Sequence, residues 1–515
     1  MLNNVLKVML WGEEVGKLYW SNQLRAAVFN YHPDFVEKGV DIAPLTASIR
    51  GKYGKGEPVV GTTPKRDDVY KGLPPFLADS LPDKWGDKLF NTWAIANHLN
   101  LKEITPVDRL AFIGKRAMGA FEFVPDVYPY NTSLSVDLAK LYDMATRIYK
   151  EREDLSVFSE DNAILSVLYE MGTSAGGQHS KAVIAINEDN QEIRSGQVIH
   201  QGNFTYHLLK FAEGEEFAYC NVEMAYYLMA KEAGINMMPS RLLKIGNKQH
   251  FMTQRFDRLG NEKLHTQTLA AMMPDASSYE ELFDVCDALG ISAQERKDLF
   301  RVTAYNFLAG NTDDHSKNFS FLMTKDGQWH IAPAYDLMFT VDLNNELYGS
   351  FHSLSLGGKD TDVSVADLLL FASKRNVRDA KRIVGEVCLA VSRFYEFAKQ
   401  CQVEVYVADK IEKYIAKNLP DEYAAKMRHH LGTIFPTYVT SEGYRVTDFK
   451  IKENNRRDFE LWAVIDGKAY KYRVDGESVM GQSIKRLGSY HMEIEEKIKL
   501  LETFFLPKVM TNQRE

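Results

Sequence analysis

Two aspartates, a histidine, a lysine and two asparagines fall within eight residues, N-T-D-D-H-S-K-N, 311–318, directly ahead of the apolar run F-S-F-L-M. A solvated turn would account for the polarity alone. The spacing offers more. Asp313 stands five residues ahead of Asn318, and D-x-x-x-x-N is the arrangement in which a carboxylate receives a hydroxyl proton while an asparagine holds Mg²⁺ during phosphoryl transfer. The pattern also arises by chance, so the other parts of such a site have to be sought along the chain.

A second metal ligand is the first requirement. Asp326-Gly327 lies between the apolar runs F-S-F-L-M and W-H-I-A and predicts a tight hairpin. A hairpin returns the chain to its start, which brings Asp336 beside Asn318. Both offer oxygen, the ligand type Mg²⁺ prefers. The plain structural alternative for Asp336 is a helix N-cap. A cation for nucleotide phosphates is the second requirement. Lys210 lies inside the strand-like Y-H-L-L-K-F, otherwise apolar on both faces, and a lysine there needs a partner if its charge is buried. Glu223, early in the following helical stretch, can supply one, repeating the strand-lysine and helix-glutamate pair of kinases. A snorkelling Lys210 and a Glu223 that merely complements the helix dipole are the competing readings.

Two further stretches suit a nucleotide. G-T-S-A-G-G-Q-H-S-K, 172–181, is a glycine-rich turn whose backbone N–H groups could approach phosphate, with Gly176 and Gly177 at its centre. Gln178 occupies the place where a Walker loop requires lysine, so that motif is excluded. Thr173 and Ser174 add hydroxyls that could be phosphorylated. M-T-Q-R-F-D-R ends a strand ahead of a helical region, so its backbone could meet a base, Phe256 its face and Asp257 a ribose. A surface Arg/Asp pair at a strand end is the alternative. Against these readings stand a metal phosphohydrolase built on Asp313, Asp314, His315 and His330, and a calcium loop. The latter lacks the turn glycine and distal glutamate of an EF-hand.

These residues need elements to hold them. K-V-M-L-W and V-G-K-L-Y-W predict an opening hairpin, L-T-A-S-I-R (45–50) and R-L-A-F-I-G-K-R-A-M-G-A-F-E-F (109–123) further extended pieces, and D-K-W-G-D-K-L-F-N-T-W-A-I-A a helix between them. This makes residues 1–130 an α+β unit. Residues 131–256 read as a strand-rich lobe: a helical stretch from Ser133 to Glu170, then strands interrupted by one helix, V-E-M-A-Y-Y-L-M-A-K-E-A, stopped by Gly234. Residues 257–435 read as mainly helical, and Ser292 with Glu295 forms a capping box for the helix leading to Asn311. Residues 436–515 change character again: Asp466-Gly467 marks a hairpin, and M-E-I-E-E-K-I-K-L-L-E-T-F-F a closing helix.

The 515 residues exceed one compact core. The 70 acidic residues outnumber 62 basic ones, a net charge of −8, which argues against stand-alone nucleic-acid binding. Four cysteines without a C-x-x-C pair support neither a zinc knuckle nor a disulfide framework. No signal peptide and no apolar run of the ~20 residues a membrane span needs are found, so a cytoplasmic protein is expected.

Taken in order, G-T-S-A-G-G-Q-H-S-K, H-L-L-K-F, R-F-D-R, N-T-D-D-H-S-K-N-F-S-F and A-P-A-Y-D resemble the HipA family of serine/threonine kinases, the toxin components of bacterial toxin–antitoxin modules. G-L-P-P-F-L-A-D-S-L-P-D-K-W-G and F-I-G-K-R-A-M-G-A-F-E-F are similar to its leading subdomain, so the likeness covers roughly residues 1–435. It implies an α+β, protein-kinase-like two-lobed fold using ATP and Mg²⁺, with an N-terminal subdomain; here a β-rich C-terminal segment is added. It implies Asp313 as catalytic base, Asn318 and Asp336 as metal ligands, and Lys210 as the ATP-phosphate contact. Gln254 and Phe256 correspond to adenine contacts, Asp257 and His315 to ribose contacts, and Ser174 to an autophosphorylated serine whose modification switches the enzyme off. The implied partners are a protein substrate such as an aminoacyl-tRNA synthetase, and a small DNA-binding antitoxin through which alone DNA is reached. A non-catalytic member acting as a binding module keeps the same fold. Ser180 stands where many members carry proline, Gln254 where an acidic residue can occur, and the segment after 435 has no counterpart.

Overall fold

Alternating apolar and polar residues fold Val5–Leu10 against Glu13–Ser21 as the expected opening hairpin. In the computed structural model, which describes residues 5–62, 69–127, 136–150, 162–172, 179–212, 219–341, 350–430, 438–453, 458–487 and 494–511, this hairpin is the middle of an antiparallel sheet. Ala26–Tyr31, Val59–Val60 and Phe121–Val124 complete it. Two stretches expected to be extended are not. Residues 45–50 form turns. Most of 109–123 is helical, because Thr105 and Asp108 close a capping box around Pro106 at the first helical position and start the helix Pro106–Ile113. The helix Lys84–Ala96 forms as expected.

The strand-rich lobe is one antiparallel sheet ordered Ile193–Ser195, Lys181–Asn187, Phe204–Lys210, Lys248–Gln254, Ser240–Ile245. Helix Tyr219–Glu232 crosses behind it, and the chain leaves that helix through Gly234 at φ +78°. Trp85, Leu89 and Phe90 of helix Lys84–Ala96 share one buried cluster with Ala182, Ile184 and Leu209 of the sheet. The N-terminal unit and this lobe thus have a common core.

After Asp257 the expected helical region opens with strands. His265–Thr268 pairs with Ser320–Met323, which pairs in turn with Trp329–Ile331 through the predicted Asp326-Gly327 turn. Helix Ala293–Ala309 starts at the Ser292/Glu295 capping box and ends at Gly310, φ +71°; five helices between Val365 and His430 follow. In the C-terminal segment Arg445–Glu453, Phe459–Ile465 and Lys468–Val474 form a meander, edged by Tyr438–Val439. Its inner face packs Phe449 and Leu461 on Leu501 and Phe505, which lie in a single π-turn of the closing helix. Among the described residues no helix is long and apolar enough to cross a membrane.

Asp257 does not stand where a ribose could reach it. Its side chain is 2% exposed. Oδ1 accepts from Arg255 Nε at 2.8 Å, and Oδ2 accepts from Arg255 at 2.7 Å, Arg258 at 2.8 Å and the Gly119 N–H at 2.7 Å. Burial would raise this carboxyl, but Arg255 and Arg258 outweigh it and hold Asp257 well below the usual carboxylate range. Gly119 comes from the N-terminal unit at φ +73°, and a Cβ there would lie 3.1 Å from the Thr266 nitrogen, so a side chain would spoil the approach. The sequence pattern R-F-D-R is therefore a buried clamp between units. Replacing Asp257 by Ala should lower unfolding stability by about 3–5 kcal/mol, because two buried guanidinium groups lose their counter-charge. The urea midpoint reads this, and an unchanged midpoint would mean the arginines are satisfied without it.

Candidate functional site

Lys210 is the last residue of its strand, and its ammonium points into the space between the two lobes, 12% exposed. Nζ donates to Glu223 Oε1 at 2.6 Å and to Asp336 Oδ1. Burial alone would lower the lysine pKa; Asp336 and Glu223 outweigh it and keep Lys210 charged above its ordinary range. Burial likewise pushes Glu223 up against the pull of Lys210. Asp336 resists its burial, and Lys210 followed by Lys181 holds it ionised well below the usual carboxylate range. The snorkelling alternative for Lys210 is thereby removed, and Glu223, 5% exposed, does more than face a helix dipole.

Asp336 follows the hairpin at φ +57°, a backbone conformation in which a non-glycine residue is uncommon. Residues 337–341, directly after it, are not helical, so it is not an N-cap. The return of the chain is fixed one residue earlier. Tyr335 OH donates to the Lys317 carbonyl at 2.7 Å and lies 2.6 Å from Ser320 Oγ, while the Ala334 N–H donates to Asn236 O of the small lobe at 2.8 Å. Tyr335 is the neighbour of Asp336, and Lys317 that of Asn318. Asn318 Nδ2 donates to the Asp313 carbonyl at 2.7 Å, which leaves its oxygen as the atom available to a cation.

The loop itself divides its two aspartates. Asp313 is 55% exposed, and its backbone N–H and that of Thr312 donate to Thr340 Oγ1 at 3.1 and 2.8 Å. Partial burial raises its carboxyl; His315 opposes this, and Asp336 and Asp314 add to it. Asp314 is buried and spends both oxygens inside: Oδ2 accepts from Tyr279 OH at 2.6 Å and His352 Nδ1 at 2.8 Å, Oδ1 from the Ser353 N–H at 2.8 Å. His315 caps the 3₁₀ turn Ser316–Asn318, with Nε2 3.8 Å from Asp313 Oδ1. His330 faces Glu295 instead, at 3.2 Å. The four-residue cluster that a metal phosphohydrolase would use is therefore dispersed.

Gln254 ends its strand opposite His207, half-buried, and its N–H donates to Pro239 O at 2.9 Å. Phe256 is half-buried with its ring 5.4 Å from that of Tyr335, so these two lie at the junction of the lobes. Asp257, as above, does not join them. Thr173, Ser174, Gly176 and Gly177 lie outside the described residues. The chain re-enters at His179, and two residues on is a group the sequence reading passed over. Lys181 opens the first long strand of the sheet and is the cross-strand partner of Lys210. Burial, then Lys210, lowers its ammonium to about 8. A lysine heading K-A-V-I-A-I carries the same signal as the lysine within Y-H-L-L-K-F; only the register, which needs the fold, pairs them. Asp83, which pairs with Lys317 of the loop, had no such signal.

One family model, described as the HipA N-terminal domain, matches residues 6–124, and another, the HipA-like C-terminal domain, matches residues 173–394. The chain belongs to the HipA family. Every element just described from Lys181 to Asp336 lies within the second match, and the C-terminal sheet lies outside both. Among solved structures the chain resembles the Shewanella oneidensis MR-1 toxin–antitoxin system of HipA, HipB and its operator DNA. That likeness covers 83% of this chain and 97% of that one at 16% identity, with a TM-score of 0.54, and it establishes a shared HipA fold. The Helicobacter pylori proinflammatory kinase CtkA gives a TM-score of 0.32 at 15% identity, over 45% of this chain and 93% of that one. A Haemophilus influenzae protein, whose assignment as a kinase is provisional, is 27% identical over 190 residues. That match takes in 33% of this chain and 53% of the relative, so the chain spans about half of the relative's length.

Lys210→Ala would leave Glu223 and Asp336 without their shared cation. A loss of roughly 3–5 kcal/mol is expected at neutral pH. Both carboxyls would then titrate higher in the folded than in the unfolded protein. Their protonation favours the fold at low pH, and this stability is lost as pH rises through the folded pKa. The deficit against the native chain, measured by urea unfolding, should therefore shrink from pH 8 to pH 5; a deficit that grows on acidification would contradict the cluster.

Proposed function

We propose that the protein is an ATP- and Mg²⁺-dependent serine/threonine protein kinase of the HipA type. The observation that carries this reading is the Lys210 ammonium clasped between Glu223 and Asp336, in a HipA fold that turns Asp336 back beside the Asp313–Asn318 loop. The donor set suits a hard cation: Asn318 retains a free amide oxygen, and Asp336 is held ionised with one oxygen engaged by Lys210. Asn318 and Asp336 would hold Mg²⁺, which when bound would supply positive charge against the charge that develops during phosphoryl transfer.

The chain's own residues do the rest. Lys210 and Lys181 bind phosphate oxygens, Gln254 and Phe256 receive the adenine, and His315 meets the ribose. Gly176 and Gly177 lend backbone N–H groups to the phosphates. Asp313, open to solvent on one side, accepts the proton of an incoming serine or threonine hydroxyl. That oxygen bonds to the γ-phosphorus, the bond from this phosphorus to the β–γ bridging oxygen breaks, and ADP leaves. Ser174 is the first acceptor we assign, and a dianionic phosphate there would repel a second ATP and silence the enzyme. The substrate in trans is a protein of translation such as an aminoacyl-tRNA synthetase. A small DNA-binding antitoxin is the proposed partner, as HipB is present with HipA in the Shewanella structure. A net charge of −8 fits DNA contact made through that partner.

Incubation with ATP and Mg²⁺ should add one phosphate at Ser174, seen by intact mass and peptide mapping. Asp313→Asn should slow this by 10²-fold or more, the scale of a lost general base; phosphate gained at the native rate would remove Asp313 from its role. Nucleotide affinity should also depend on Lys181. Because this lysine deprotonates near 8 in the free protein, binding above that pH must take up a proton. The dissociation constant should then rise up to about tenfold per pH unit. Calorimetric titration from pH 7 to 9.5 reads the slope, and Lys181→Met should abolish it.

A further inference from the structure

The helix Lys84–Ala96 of the N-terminal unit starts in an unusual way. Asp83 stands at its N-cap with extended backbone, φ −81° and ψ −167°, a conformation from which an aspartate side chain normally accepts from its own first turn. Here it makes no such bond. It pairs instead with Lys317, 234 residues away in the Asp313–Asn318 loop. The two side chains are only 24% and 26% exposed, so solvent and salt screen this pair less than a pair on the open surface.

Lys317 is fixed at its backbone as well. Its N–H donates to His315 Nδ1 at 3.2 Å, and its carbonyl accepts from Tyr335 OH at 2.7 Å. It is the middle residue of the turn Ser316–Asn318, which the Asn318 N–H closes on the His315 carbonyl at 2.8 Å. The residue ahead of Asn318 is therefore anchored twice, by backbone bonds within the large lobe and by one charge from the N-terminal unit. That charge has an electrostatic use too. An ammonium one residue from a cation ligand opposes a divalent ion unless it is offset. Among the described residues Asp83 is the one carboxylate in ion-pair contact with Lys317.

We propose that Asp83 is a positioning residue for Mg²⁺ binding: by holding and neutralising Lys317 it keeps the turn that presents Asn318 fit for a divalent cation. This rests on the proposed assignment of Asn318 and Asp336 to the metal. The N-terminal unit thereby sets the metal affinity of the cleft from outside both lobes. Calorimetric titration of the full chain at pH 7 with AMP-PNP, a non-hydrolysable ATP analogue, tests it. Titrations in EDTA and in excess Mg²⁺ together give the factor by which the metal tightens nucleotide binding. The EDTA arm absorbs any change made through Lys181, whose charge Asp83 also supports. Asp83→Asn should cut the factor about tenfold, the scale of a lost outer partner of a metal ligand, and Asp83→Glu should recover most of it. Asp83→Ser can cap its own helix but carries no charge; it should behave as the Asn variant does, which separates a lost charge from a frayed helix. In a Lys317→Met chain, Asp83→Asn should change the factor no further. A native factor in both uncharged variants, or the same loss repeated in the Lys317→Met chain, would overturn the proposal. Should Mg²⁺ fail to tighten binding in the native chain, the metal assignment falls and this inference with it; should the native chain respond and the variants match it, this inference falls alone.

Discussion

The cleft is organised around one ammonium that cannot be left alone. Lys210 sits where burial opposes its charge, and the cost of an unpaired buried cation exceeds what its packing could return. Two carboxylates answer it from different places: Glu223 from the helix behind the sheet, Asp336 from the chain leaving the hairpin of the other lobe. The ion cluster therefore fixes a distance between lobes as well as a charge. It also sets the order of ionisation. Asp336 is held charged by Lys210 and Lys181, while Asp313, half in solvent, is pushed the other way by its burial and its acidic neighbours. Two carboxyl groups in one cleft are thus driven apart by their surroundings, the condition under which one can hold a cation and the other accept a proton.

Asp313 and Asp314 make the same point over a single residue. One faces the cleft; the other is wholly inside, holding Tyr279, His352 and the backbone of Ser353. The loop needs both. Its residues are in no regular structure before the short turn at Ser316, so ladder hydrogen bonds do not hold it, and side chains must. Asp314 and Thr340 pin it from below, Lys317 and Tyr335 from the side, and of its two aspartates Asp313 is the one half exposed.

How much of this could be read in the residues depended on range. The Asp326-Gly327 hairpin, the Ser292/Glu295 cap and the Asp466-Gly467 turn are local devices, and each does what its dipeptide or spacing says. The stretch 109–123 misled because its apolar run fits strand or helix equally; Thr105, Pro106 and Asp108, the cap that decides, lie just upstream. Lys210 with Glu223 was legible as a buried cation seeking a partner. Lys181 was not, because its role comes from a cross-strand register. Asp257 was assigned to a ribose because R-F-D-R ends a strand at the lobe junction. Its neighbours Arg255 and Arg258 are the residues most able to claim it, yet whether such a triad is exposed or buried depends on Gly119, well over a hundred residues away.

Gly119 is one of several reasons to count the N-terminal unit as part of the cleft. Trp85 Nε1 donates to the Lys181 carbonyl at 3.0 Å, fixing the first residue of that strand. Asp83 pairs with Lys317 in the Asp313–Asn318 loop. Asp79 accepts from the Thr268 N–H at 2.7 Å and its hydroxyl at 2.9 Å, at the strand that pairs with the hairpin. One short stretch, Asp79 to Trp85, thus touches the small lobe, the loop and the hairpin sheet. Each contact is polar and worth little by itself, but they are mounted on a helix whose Leu89 and Phe90 complete the core of the small lobe. Removing that helix would expose apolar surface on the sheet carrying Lys181 and Lys210, so the geometry of these two lysines depends on burial supplied from outside the two lobes. The leading subdomain is for this reason a structural third wall of the site, and the small lobe without it lacks a complete core.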